Sequence, residues 1–341
     1  MNKKIIYILA FFLLLGGILA YNYYQKIFGK AITKDIELFV NSSDSLIDVK
    51  KKLEDFSRSP ETFLWVASKK NFEKPKAGRY LVKEGMSNND LVNMLRSGRQ
   101  TPLKISFNNQ DTLEKLAGRI AEQIQADSIA LLETFRDREF LSKNNLTEKS
   151  VLQIFIPDTY EFYWTVSPEK FRTKMWVAYK RFWNENRLKK AQKLGLTKDQ
   201  VITLASIVQK ETAQNSERPT VAGLYLNRLE KNWPLQADPT IIYAIKQLKG
   251  QDYVVKRVLT VDLEINSPYN TYKNTGLPPT LISMPDVSAI DAVLNAEDHE
   301  YFYMCVNVDK LGYHAFAKSL AQHNRNAEKY HRWLNKQGVN R

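Results

Sequence analysis

One carboxyl in this chain stands where its helix has no packing use for a charge. Residues 196–212 read Leu-Thr-Lys-Asp-Gln-Val-Ile-Thr-Leu-Ala-Ser-Ile-Val-Gln-Lys-Glu-Thr. At about 100° per residue, Val201, Ile202, Leu204, Ala205, Ile207 and Val208 fill one apolar arc, with Lys210 opposite. Glu211 falls inside the arc, between the azimuths of Ile207 and Leu204, where a helix built only for packing would carry Leu or Val. Apolar neighbours desolvate a carboxyl, disfavour its charged form and raise its pKa, so it can donate a proton near neutral pH. Cleavage of a glycosidic bond needs such an acid. The plainer reading is that Glu211, at the helix end, snorkels into solvent and pairs with Lys210, Arg218 or Arg228.

Other stretches offer groups that could seat a sugar. Ile156-Pro157-Asp158-Thr159-Tyr160-Glu161-Phe162-Tyr163-Trp164 is either a core strand with polar ends or a platform. As a platform its rings stack on pyranose faces while Asp158 and Glu161 accept hydroxyl hydrogen bonds. The loop over 267–279, rich in Tyr, Asn and Pro, is too long for a mere connection. A glycosidase with two acids would want a partner for Glu211, and Asp238 is the tempting one. Asp238 precedes Pro239, however, which reads as an N-cap with Pro at the first helical position. The four histidines, His299, His314, His323 and His331, lack the His-Glu-x-x-His spacing of a zinc hydrolase, and no metal site or cofactor is expected. Phosphate-loop, dinucleotide and Gly-x-Ser-x-Gly signatures are missing from the sequence.

The elements that must carry these groups are helical with short strands, an α+β chain. Thr197 and Gln200 form a capping box that fixes the start of the Glu211 helix. Upstream, a strand over 36–40, helical stripes on Leu46, Val49, Leu53 and on Phe63, Val66, Ala67, and a strand reaching Gly85 give the order strand, helix, helix, strand. With its Gly85-Met86-Ser87 turn this resembles a LysM-type glycan-binding module, although a small α+β unit can adopt that order for packing alone. A strand over 103–107 and a helix on Leu113, Leu116 and Ile120 follow, then one long helix over 168–193. Beyond residue 283 the spacing predicts a helix opened by Ser283 and Pro285, a hairpin of 301–308 with 313–317, and a last helix over 320–334.

At 341 residues with 43% hydrophobic content, the chain can fold more than one core. Its net charge of +13 is spread through every segment without a basic run or nucleic-acid motif, so it marks a preference for anionic surroundings and not a nucleic-acid site. Residues 5–20 are apolar, preceded by Lys3-Lys4 and followed by Tyr21, Tyr23 and Tyr24, as in a membrane span with an interfacial aromatic belt. No small-residue cleavage site precedes Tyr21, which favours an uncleaved anchor. The single cysteine, Cys305, reads as a buried strand residue and supports no disulfide framework.

Taken in order, these segments resemble the membrane-anchored endolytic murein transglycosylases, the YceG-like family. The resemblance rests on Ala77-Gly78-x-Tyr80, Pro157-Asp158-Thr159, Leu204-Ala205-Ser206-Ile207-Val208-x-Lys210-Glu211-Thr212 and Leu235-Gln236-x-Asp238-Pro239-Thr240. It continues through Ser267-Pro268-Tyr269-Asn270-Thr271-Tyr272, Gly276-Leu277-Pro278-Pro279, Pro285, His314-x-Phe316 and His323-Asn324. The family commonly has Glu where this chain has Gln209, which leaves Glu211 as the only acid of its motif.

The resemblance implies Glu211 as the catalytic acid, with Gln209, Gln236, Tyr269, Asn270, Tyr272 and His314 positioning the sugar. It also implies peptidoglycan glycan strands as substrate, 1,6-anhydro products, peptidoglycan synthases (penicillin-binding proteins) as partners, and a single-pass inner-membrane protein with its catalytic domain in the periplasm. The expected organisation is a cytoplasmic tail over 1–4, a transmembrane helix over 5–24, a linker over 25–35, a LysM-like subdomain over 36–102, an intermediate region over 103–195 and a catalytic region over 196–341. A muramidase pairing Glu211 with Asp238, Asp158 or Glu217, or an inactive glycan-binding scaffold, would use the same residues differently.

Overall fold

The computed structural model describes residues 3–337, so Met1 and Asn2 of the expected tail and residues 338–341 of the expected catalytic region lie outside the described residues. The chain divides into two compact units. The first takes the chain up to residue 105, with 121–126 and 160–167. It opens with α1 (Lys3–Phe28), an apolar helix of mean hydropathy 2.2 that buries nothing and is long enough to cross a hydrocarbon core of about 30 Å.

Strand β1 (Ile36–Val40), helices α2 (Leu46–Lys52) and α3 (Pro60–Lys69), strand β2 (Gly78–Val82) and helix α4 (Asn88–Ser97) follow. β1 and β2 pair antiparallel, with Leu38 opposite Tyr80 and Val40 opposite Gly78. Alternation puts Leu38, Val40, Tyr80 and Val82 on one face, where they close a core with Leu53, Phe63 and Leu91. Local chemistry sets the ends. Ser45 and Asp48 cap α2 reciprocally, Pro60 opens α3, Ser87 accepts from Asp90 N at 3.1 Å, and Gly98 at φ 72° ends α4.

The stretch expected as a linker is tied down. α1 runs on to Phe28, and the amides of Ala31 and Ile32 then donate to Met86 O at 3.0 and 3.1 Å while Ile32 O accepts from Gly85 N. Ile32 is an apolar side chain with a core to enter, and that burial holds the segment in place.

The second unit holds 106–120, 127–159 and the chain from 168 onward. Strand β3 (Leu103–Phe107) leads to α5 (Leu113–Ala121), α6 (Ser128–Phe135) and α7 (Arg138–Lys143), and strand β4 (Asp158–Phe162) pairs with β3. The helix expected over 168–193 is two, α8 (Pro168–Phe182) and α9 (Glu185–Lys193). Asn184 breaks it, because its side chain accepts from Arg187 N at 3.0 Å and starts a new helix.

Helices α10 (Lys198–Glu211), α11 (Arg218–Glu230), α12 (Asp238–Lys249) and α13 (Val287–Leu294) form the centre of this unit, followed by β5 (Tyr303–Val306), β6 (His314–Ala317) and α14 (Leu320–Lys336). α10 packs against the three helices after it, and every residue from Val201 to Val208 is buried, not only those of the apolar arc. Its buried hydroxyls are bonded: Thr203 to Asp199 O at 2.8 Å and Ser206 to Thr203 O at 2.7 Å, with Ile282 N donating back to Ser206 Oγ at 3.0 Å. α13 begins two residues beyond Pro285, capped by Asp286. β5 is shorter than expected, and Cys305 on it is half-buried where the sequence predicts burial.

Candidate active site

Glu211 is the last residue of α10, and its side chain stays within the protein. The three cations that a solvated Glu211 would pair with are engaged elsewhere: Lys210 with Asp111 at 2.6 Å, Arg218 with Asp286 at 2.9 Å, and Arg228 with the carbonyls of Leu235 and Phe302. The partner of Glu211 is instead Tyr225 on α11, whose hydroxyl donates to Oε1 at 2.5 Å. Tyr225 is fully buried, and a buried phenol needs an acceptor, which the carboxyl supplies.

Burial pushes the Glu211 carboxyl up to about 7. The Tyr225 hydrogen bond and the electrostatic influence of His314 and Arg228 oppose this, while Asp238 reinforces it. Glu211 is thus divided between acid and carboxylate at neutral pH, as a group that first gives and then takes a proton must be.

Asp238 is not the cap of α12. Ala237 occupies that position without a side-chain cap, and Asp238 is the first helical residue, its Oδ1 accepting from the Tyr272 hydroxyl at 2.6 Å. The start of α12 is held instead by Thr271, whose hydroxyl oxygen accepts from Ala237 N at 3.1 Å, and by Thr240, which donates to Ala237 O at 2.7 Å and meets the Thr271 hydroxyl at 2.8 Å. Freed from capping, the exposed Asp238 carboxylate contributes charge to the site. Burial, reinforced by Asp238, keeps the Tyr272 phenol protonated and able to donate.

His314, on β6, is anchored by Glu217. Its backbone N donates to Glu217 Oε1 at 2.6 Å, and its Nδ1 lies 2.9 Å from Oε2. Glu217 is only 5% exposed and both its oxygens are occupied, so it orients His314 and offers no second acid to a substrate.

The remaining sequence candidates are distributed unevenly. Gln209 accepts from Asp286 N at 2.5 Å, which ties α10 to the start of α13. Gln236 is exposed and held at φ 50°, a left-handed conformation costing about 1–2 kcal/mol in a non-glycine residue, with its N bonded to Thr271 O at 3.0 Å. Tyr269 is 3% exposed, its ring against Tyr243 and its hydroxyl 2.7 Å from Thr280 Oγ1. Asn270 is fully buried and spends its amide inside the loop, donating to Leu263 O and Ile265 O at 2.8 Å and accepting from Tyr272 N. Both residues build the loop that presents Tyr272. Asp158 and Glu161 are exposed on β4, and Asp158 accepts from Thr159 N at 2.6 Å.

Sequence reasoning missed Tyr225. The available signal was the phenol itself, an oxygen that a fully apolar face cannot satisfy.

A mixed helix and strand fold that delivers a half-buried carboxyl at the end of a helix buried from Val201 to Val208 defines the class, and the YceG-like family model matches residues 38–329. The chain belongs to the YceG-like family. It is 29% identical over 339 residues to a Bacillus subtilis protein named endolytic murein transglycosylase, covering 93% of this chain and 91% of that one. A Streptococcus pneumoniae protein of the same name is 28% identical over 301 residues, 79% of this chain and 53% of the relative. The crystal structure of a yceG-like protein from Listeria monocytogenes superposes with a TM-score of 0.57 at 29% identity, covering 86% of this chain and 98% of that one.

Proposed function

We propose that this chain is a membrane-anchored endolytic peptidoglycan lytic transglycosylase. It cleaves the β-1,4 bond between N-acetylmuramic acid and N-acetylglucosamine and leaves a 1,6-anhydro end. The observation that carries the reading is Glu211, a lone acid set by burial to about 7 and oriented by Tyr225. The names of the relatives support the same activity.

Glu211, protonated, gives its proton to the leaving glycosidic oxygen as the bond to the muramic acid C1 breaks. As carboxylate it then takes the proton of the muramic acid C6 hydroxyl, whose oxygen bonds to C1. The enzyme ends as it began, and the nucleophile comes from the substrate, so no water and no second carboxylate are consumed. Tyr225 holds Oε1 and leaves the other oxygen to the sugar. In this reading Tyr272, His314 and the exposed Gln236 side chain orient it. A two-carboxylate muramidase is the second reading, favoured by one observation: Asp238 is close enough for its charge to raise the Glu211 pKa.

The apolar α1 would anchor the chain, with residues beyond it outside the cytoplasm, where nascent strands leave penicillin-binding proteins and tethering raises the effective concentration of enzyme. The β-α-α-β order with antiparallel β1 and β2 supports a LysM-like glycan-binding role for 36–102, with the catalytic region over 196–341.

Mass spectrometry of purified murein digested by the full chain tests the reaction. Anhydro-ended fragments from within strands are expected, and Glu211→Gln should abolish them while sparing murein binding. Reducing ends in their place would establish the hydrolase, and undiminished anhydro product from Glu211→Gln would remove Glu211 from the mechanism.

A further inference from the structure

A groove of about 670 Å³ opens beside the end of α1, walled by Leu19, Tyr23 and Lys26 of the helix and by Lys30, Arg58 and Thr62. Three cations therefore border one hollow, and among the described residues Lys26, Lys30 and Arg58 have no carboxylate partner. Glu61, in the first turn of α3, is engaged by Lys50 at 2.6 Å. Like charges gathered without a counterion repel one another, and a bound anion relieves this.

The neutral lining is of the same kind. Ser59 begins α3 without making a side-chain cap, and its hydroxyl, which accepts from Thr62 Oγ1 at 2.9 Å, lines the groove. Asn88 also lines it. Asn88 is only 3% exposed, its side-chain nitrogen donates to Lys26 O at 3.3 Å, and its side-chain oxygen is without a donor. A buried acceptor left unpaired beside an anion seat calls for a ligand that also carries a hydroxyl.

We propose that this groove seats the phosphate headgroup of a membrane lipid. The phosphate lies among Lys26, Lys30 and Arg58, a headgroup hydroxyl reaches Asn88, and an acyl chain runs along Leu19. A free phosphate has the same charge but no use for that apolar wall. The height is also right for a lipid, because Tyr21, Tyr23 and Tyr24 are exposed where the apolar stretch of α1 ends, as in an interfacial belt. The proposal rests on α1 being the membrane anchor. A lipid held here would fix the first unit against the leaflet at the point where Ala31 and Ile32 already leave it little freedom.

The test is native mass spectrometry of the full chain released from phosphatidylcholine vesicles containing phosphatidylglycerol. Selective retention of phosphatidylglycerol is expected. Lys30→Gln with Arg58→Gln should weaken it about 25-fold, about fivefold per cation. Lys34→Gln with Lys51→Gln, exposed lysines off the groove, should leave it unchanged, and circular dichroism should report both doubles folded. Equal losses in the two doubles would mean diffuse surface charge and overturn the seat. Competition by glycerol phosphate at lipid-like concentration would mean a free-phosphate site and overturn the lipid. Flotation with pure phosphatidylcholine vesicles checks the anchor separately: a chain that does not float refutes the anchor, whereas one that floats without retaining phosphatidylglycerol refutes the seat alone.

Discussion

The hydroxyl of Tyr225 donates to Oε1 of Glu211 at 2.5 Å, joining the end of α10 to the middle of α11. The bond favours the carboxylate, and burial favours the acid more strongly. A rigid donor between two packed helices therefore orients the Glu211 carboxyl and limits the rise that burial gives its pKa.

Tyr225→Phe removes the donor without changing the bulk of the ring. Because the bond lowers the Glu211 pKa, its loss raises it, and activity that needs protonated Glu211 should fall off at a pH about one unit higher than in the parent. The rate should drop about tenfold or more as the carboxyl loses its orientation. A pH–rate profile that does not move would leave Tyr225 with a packing role only.

Asp238→Asn should act with the opposite sign. Its negative charge raises the Glu211 pKa, so neutralising it should bring the activity limb to lower pH, with anhydro product still formed. A loss of all turnover in Asp238→Asn would make Asp238 a catalytic carboxylate and favour the hydrolase.

The raised Glu211 pKa also links stability to pH. Between the ordinary 4.5 and about 7, the folded chain holds a proton that the unfolded chain releases, so stability declines as pH rises through this window and stays lower above it. Glu211→Gln lacks that proton equilibrium. Denaturant unfolding should find it equal to the parent near pH 4 and more stable at pH 8, by about 3 kcal/mol at most. Parallel pH profiles for the two proteins would contradict the raised value.

Gly223 on α11 has no room for a side chain. A Cβ there would lie 2.3 Å from Glu297 O and 2.8 Å from the His299 ring. Gly223→Ala should cost about 1–3 kcal/mol by pushing α11 off its neighbour, and it should lower activity through Tyr225, two residues on. Thermal unfolding and murein digestion measure the two effects, and an unchanged melting temperature would show that the Glu297 backbone can yield.

Much of this protein is local chemistry and was readable as such. The apolar run of α1, the Thr197–Gln200 box, the strands β1 and β2 and the misplaced charge of Glu211 each follow from residue type and spacing, which act within a few residues of chain. Local competition also misled. Asn184 reads as one residue of a long helix until its side chain caps a second one, and Asp238-Pro239 reads as a cap until the Asp238 carboxylate turns to the Tyr272 hydroxyl.

By itself, then, the sequence determined which helix carries the acid and that the acid lies on an apolar face. Only the tertiary structure decided what faces it: the phenol of Tyr225 from the next helix, His314 held by a buried Glu217, and Asp238 released to Tyr272. The reason is physical. A pKa is set by desolvation and charge at distances of a few ångströms in space, and the groups that supply them come from residues 14 to 103 positions along the chain from Glu211, brought together by the packing of α10 against its neighbours.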